Sequence, residues 1–188
     1  MVRRIHFFDP PERFVAGTVG PPGQRTFFLQ ARDSSHITSV ALEKVQVQLL
    51  AEKIDQMLDE LAADGTAGVE IPVSPAEVEP DSDPLDQPLV EEFRVGNLRL
   101  GWHTESHTVV VEAFNGADDE VTEEEAEPLD DDDREALVVR LSPHQARGFA
   151  HRANLLVSAG RPACPFCAQP LDPEGHVCPR QNGYRRRS

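Results

Sequence analysis

Ala136-Leu-Val-Val-Arg-Leu141 runs directly into Ser142-Pro-His-Gln-Ala-Arg-Gly-Phe-Ala150, and this junction decides the fold class. Residues 136–141 are mostly aliphatic, with Val138 and Val139 β-branched, and read as a short strand. Ser142 suits a helix N-cap, Pro143 the first helical position, and Gln145 completes a capping box. Ala146, Phe149, Ala150, Ala153, Leu156 and Val157 then recur at three- and four-residue spacings as one buried stripe. Gly160 and Pro162 end the helix.

The same order, strands and then a helix, occurs upstream. Residues 5–8, 13–19 and 25–31 read as strands, with Phe27, Leu29 and Ala31 alternating against Thr26, Phe28 and Gln30. Gly20-Pro-Pro-Gly23 is turn chemistry, and a fourth short strand covers 37–40. From about Val40 to Ala62, Leu42, Val45 and Leu49, and then Val47, Leu50, Ile54, Met57, Leu58 and Leu61, mark a helix. Gly65 and Gly68 stop it. In the second block, Phe93–Trp102 and His107–Phe114 pair around a turn at Thr104-Glu105-Ser106. The expected fold is therefore α+β: two strand groups, each followed by a helix, with the helices packed on an antiparallel sheet. The two blocks share an order of elements but no residue-level repeat.

Two acidic stretches interrupt this pattern. Residues 118–135 hold twelve acids and one Arg, and residues 74–92 hold seven acids and no base. Together they account for 19 of the 33 acids, leaving 14 against 17 Lys and Arg. The net charge of -15 thus belongs to these segments rather than to the folded part. Prolines 72, 75, 80, 84 and 88 break any helix or central strand, so 72–92 is expected to be an acidic linker. The run 118–135 is expected to be a solvated loop; it lacks the ligand spacing of a calcium loop. The domain reading is one α+β domain over 1–160 and a tail over 161–188.

The chain has 188 residues, enough for one domain with an appendage. The N-terminal apolar run is too short for a secretory signal, and no stretch approaches the roughly 20 apolar residues of a membrane span. The expectation is a soluble cytoplasmic protein with no membrane partner. Sixteen Arg against two Lys point to a GC-rich genome.

The tail carries the most specific chemistry. It reads Cys164-Pro-Phe-Cys167, then eight residues, then His176-Val-Cys178. A C-x2-C pair brings two thiolates to one ion, and a second pair across a short loop completes a tetrahedron; three Cys and one His form a known structural zinc set. All three cysteines of the chain lie here, in a stretch whose large apolar residues are Phe166, Leu171 and Val177. So coreless a segment needs a staple to order. Zinc held by Cys164, Cys167, His176 and Cys178 is the leading reading. A disulfide would leave one of three cysteines unpaired, and a thioredoxin-like motif would lack room for its helix before Pro170. His176 is the weakest ligand, because H-x-C is tighter than C-x2-C.

From residue 144 onward there are seven Arg and two acids. Arg147, His151, Arg152, Arg161 and Arg180 are candidates for binding a phosphate-bearing ligand or nucleic acid. They serve equally as partners for the chain's own acids. His103, Glu105 and His107 cluster at a hairpin tip and read best as a solvated turn. No Gly-rich phosphate loop or nucleophile elbow is present.

Ser142-Pro-x-Gln-Ala-Arg-x-Phe149, Gly160-Arg-Pro-x-Cys-Pro-x-Cys167 and Pro170-Leu-Asp-Pro-Glu-Gly-His-x-Cys-Pro-Arg180 resemble an actinobacterial domain-of-unknown-function family. Phe27-x-Leu-Gln-Ala31 and Leu42-Glu-Lys-Val-Gln46 are similar to it as well, so the resemblance spans nearly the whole chain outside the acidic loops. Genes of such a family often neighbour a phosphomutase-like protein, a kinase-like protein and the mycothiol cysteine ligase. The resemblance implies a shared process and a cytosolic setting; it carries over no catalytic residue.

Taken together, these features lead to a zinc-containing binding or adaptor protein with a protein partner and no enzymatic activity. The alternatives are a nucleic-acid or phosphate-ligand binder using the Arg-rich end, or an enzyme acting on a phosphorylated substrate.

Overall fold

A computed structural model describes residues 4–21, 23–79, 81–116, 121–123 and 135–159. The strands are β1 (Ile5–Phe8), β2 (Arg13–Val19), β3 (Thr26–Arg32), β4 (Ile37–Leu42), β5 (Glu91–His103), β6 (Thr108–Asn115), β7 (Val121–Glu123) and β8 (Ala136–Leu141). The helices are α1 (Lys44–Asp64) and α2 (Pro143–Ser158), with one 3-10 turn at Pro75–Glu77. The elements expected from periodicity are all present, with ends displaced by a few residues.

Each α-helix begins and ends for local reasons. Ser142 Oγ accepts from the Gln145 backbone N–H, and Gln145 Oε1 accepts in return from the Ser142 N–H, which closes the capping box. Glu43 and Gln46 form the same reciprocal box at the start of α1. Gly65, in the left-handed region at φ 64°, caps its end by donating to Leu61 O.

The strands form one eight-stranded sheet in the order β1-β8-β6-β5-β4-β3-β2, with β7 pairing β5 off that path. The expected antiparallel sheet is in fact mixed: β1 runs parallel to β8, β4 to β5, and β5 to β7. The reason for the β4–β5 pair is covalent. A parallel pair needs a long crossover, and α1 with the segment after it supplies one. Side-chain alternation reports which face is buried, not the direction of the neighbouring strand.

Both helices lie on one face of the sheet. Pairs such as Ala16 opposite Leu29 and Leu29 opposite Val40 point toward Leu50, Ile54 and Leu58 of α1 and Phe149 of α2 in one core. Phe14 and Phe149 stack at 4.7 Å. At Gly96 the β5–β6 register slips between Val95 and Asn97. An added Cβ there would lie 2.1 Å from Gly116 O, so only glycine fits.

The acidic segment expected to be a linker is a packed strap. Residues of the opposite parity, Val15, Phe28 and Ala41, are covered on the other face by Leu85, with Leu89 beside it. Leu85 lies so close to Gly17 that a Cβ would meet its Cγ at 2.5 Å. Buried Gln30 grips the strap backbone, its Oε1 accepting from Asp86 N at 2.7 Å and its Nε2 donating to Asp86 O at 3.1 Å. The prolines do exclude helix and strand from 81–90, but a strap needs neither. Within the run 118–135, Val121–Glu123 form β7.

Candidate functional site

The four expected zinc ligands, Cys164, Cys167, His176 and Cys178, lie outside the described residues, as do Arg161 and Arg180. The remaining anion-binding candidates are placed, and two of them are occupied by carboxylates of the same domain.

Arg147 leaves α2 for the interior and is 3% exposed. Its Nη1 donates to Asp55 and its Nη2 to Asp59, both at 2.6 Å, and its Nε donates to Pro72 O at 3.0 Å. Asp55 and Asp59 sit one turn apart on α1, so they present two carboxylates to one planar fork. Burial works to lower the Arg147 pKa, but the bonds to Asp59 and Asp55 outweigh it and the group is held above its ordinary value.

Arg152 reaches over the edge of β2 to the strap. It donates to Ala16 O, to Asp81 O and Oδ1, and to Asp83 O, at 2.7–2.9 Å. Arg13 binds Asp81 through two nitrogens, at 2.7 and 2.9 Å, and Asp86 at 2.9 Å. The Arg13 bond holds the Asp81 carboxyl below its ordinary value, and Asp81 in turn raises Arg13. Burial lowers the Arg152 guanidinium. Arg147 is thus bound by two carboxylates and one backbone carbonyl, and Arg152 by one carboxylate and three backbone carbonyls, all within the domain. His151, also on α2, is half-buried and joins neither network.

The hairpin histidines behave as a turn. His103 Nδ1 accepts from Ser106 N at 3.2 Å and meets Ser106 Oγ at 2.7 Å, while His107 takes a positive φ of 52° and packs beside Trp102.

A different cluster escaped the sequence reading. His6 on β1, Glu92 on β5 and Glu135 just before β8 bring their ligand-type atoms within 4.8 Å of one another. His6 Nε2 lies 3.0 Å from Glu135 Oε1, and His6 Nδ1 lies 3.2 Å from Thr38 Oγ1. Glu135 is held at its backbone, where its N–H donates to Asn115 Oδ1 and its carbonyl accepts from Asn115 N. The faint signal available was position: Glu135 stands directly before the apolar run of β8, while His6 and Glu92 lie near the starts of β1 and β5.

Beside Glu92 a cleft of about 430 Å³ opens between the β3–β4 turn and the end of the strap, lined in part by Asp33, Ser35 and His36. Asp33 accepts from Ser35 Oγ and from the backbone N–H groups of Ser35 and His36. These bonds, the Ser35 hydroxyl first, bring its pKa down to about 2, so it is a fixed anion at the cleft wall.

No helix among the described residues is long and apolar enough to cross a membrane. No curated protein and no solved structure matches the chain. A family model described as "Protein of unknown function (DUF3090)" matches residues 6–178, a span running from the His6 cluster to the last cysteine. The chain belongs to this DUF3090 family.

Proposed function

We propose that the protein is a zinc-containing binding or adaptor protein: an α+β domain carries a C-terminal zinc knuckle built from Cys164, Cys167, His176 and Cys178. The observation that carries this reading is the C-x2-C and H-x-C pairing within fifteen residues that hold every cysteine of the chain. The zinc is structural, with all four positions filled. The reading places the protein in the cytoplasm, where thiolates stay reduced.

The internal use of Arg147 and Arg152 supports the adaptor reading over its rivals. A nucleic-acid surface or a phosphate pocket built on α2 would need free guanidinium donors there. Among the described residues both arginines are turned inward. A nucleic-acid role then rests on Arg161, Arg180, Arg185, Arg186 and Arg187.

The test is a comparison of wild type with Cys164→Ser. Each chain is expressed at native level, cross-linked in the cell, and its co-purifying proteins quantified. The adaptor reading expects a stoichiometric protein partner that is lost with Cys164→Ser while the thermal melting of the domain is unchanged. Labelled duplex or single-stranded nucleic acid should not bind at physiological salt. Salt-dependent binding abolished by replacing Arg185–Arg187 with Ala would install the nucleic-acid reading instead.

A further inference from the structure

The domain brings an imidazole and two carboxylates together from three separate parts of the chain. We propose that His6, Glu92 and Glu135 form a binding site for a divalent transition-metal ion, independent of the cysteines.

The geometry is close to what an ion requires. Ligands about 2.1 Å from one ion stand roughly 3–3.5 Å from each other. His6 Nε2 and Glu135 Oε1 are already 3.0 Å apart, and all three ligand atoms lie within 4.8 Å. A small swing of the Glu92 arm closes the set.

The surroundings orient the ligands. Metal-bound histidines use their second nitrogen to hold the ring, and here Thr38 Oγ1 meets His6 Nδ1, which leaves Nε2 facing the carboxylates. The ring is further confined by Phe93 at 6.5 Å. Asn115 fixes Glu135 from both sides of its peptide.

Charge favours a cation. His6, Glu92 and Glu135 are only 13%, 28% and 23% exposed at the side chain, so two carboxylates share a poorly hydrated space. Arg4 approaches Glu92 at 3.7 Å, but its own side chain is 70% exposed, and such a pair is weak. A divalent ion offsets the mutual repulsion far better than one exposed guanidinium.

The donor set selects the class of ion. One nitrogen and two carboxylates suit Mn²⁺, Fe²⁺, Co²⁺ or Zn²⁺, whereas Ca²⁺ takes six to eight oxygens. Three protein ligands also leave coordination positions open, and Glu92 lines the neighbouring cleft from which a small ligand would reach them. Because His6 and Glu135 are 129 positions apart, the site exists only in the folded chain. Binding therefore stabilises the fold.

Mn²⁺ is the discriminating probe, since thiolates prefer softer ions. The metal-stripped full chain is titrated with Mn²⁺ while the free-ion signal is followed by electron paramagnetic resonance. One equivalent should bind to wild type and to Cys164→Ser, raising the melting temperature of each. His6→Ala and Glu135→Gln should weaken binding at least about tenfold. Zn²⁺, higher in the affinity order, should displace the bound Mn²⁺. Glu92→Gln, at the most exposed of the three ligands, decides the matter should His6→Ala fail to fold. The proposal is overturned if wild type leaves the signal unchanged up to about 1 mM Mn²⁺. It is equally overturned if the ligand variants bind as wild type does, which would assign the ion to the acidic run.

Discussion

Replacing Asp55 and Asp59 together by Asn should destabilise the domain by about 3 kcal/mol, whereas Arg147→Met should cost less than about 1.5 kcal/mol. The asymmetry follows from where each charge sits. Arg147 is almost fully buried, and its charge is compensated by the two carboxylates at 2.6 Å. The double variant keeps hydrogen-bond acceptors but strips the opposing charge, leaving a cation in the interior. Breaking a buried pair in this way costs roughly 3–5 kcal/mol, and the low end applies because Asp59 is 64% exposed and water reaches the site. Arg147→Met removes the buried charge itself at nearly constant volume, and the freed carboxylates hydrate. Urea denaturation of the three chains measures both numbers. A double variant within about 1 kcal/mol of wild type, or one less damaging than Arg147→Met, would show that the guanidinium is not held as described.

The second large effect concerns the strap. Asp81→Ala should cost about 2 kcal/mol, at the lower part of the range for hydrogen bonds between charged groups because Asp81 is 35% exposed. Arg13 and Arg152 both lose a carboxylate at 2.7 Å, and the strap that carries Leu85 over Gly17 loses one of its anchors. The pH dependence has a definite sign. The Asp81 carboxyl is held below its ordinary value, chiefly by the Arg13 bond. Its contribution is therefore complete above the unfolded value of 3.8 and is lost as the pH falls through the lower folded one. Urea melts between about pH 5 and pH 2 should show wild-type stability falling more steeply than that of Asp81→Ala. Parallel curves would mean that Asp81 does not hold the strap.

These two networks mark the boundary of what the sequence discloses. Local signals survive intact: the Ser142–Gln145 capping box, the stripe on α1 and the alternation in β3 all rest on contacts within a few residues. Partner choice does not survive, because β4 and β5 pair in parallel across 48 intervening residues and nothing in either strand encodes the direction. The strap is hidden from the sequence for a related reason. Its prolines and acids look like a solvated linker until Arg13, Gln30 and Arg152 are seen to face it from 56 to 71 positions away. Arg147 and Arg152 look like a basic surface on α2 alone, since a helical wheel does not show the carboxylates waiting on α1 and on the strap. His6, Glu92 and Glu135 form no motif, because β1, β5 and the residue entering β8 bring them together and no spacing does.

The zinc reading rests on sequence spacing, so its most direct test is chemical. Metal analysis of the full chain, purified without chelator under reducing conditions, should find one Zn²⁺ bound through thiolates. Substitution by Co²⁺ should give the charge-transfer absorption of a cobalt–thiolate bond. Cys164→Ser should abolish that absorption while the α+β domain keeps its melting temperature. A wild-type chain that carries no zinc and gives no thiolate band with Co²⁺ would contradict the account.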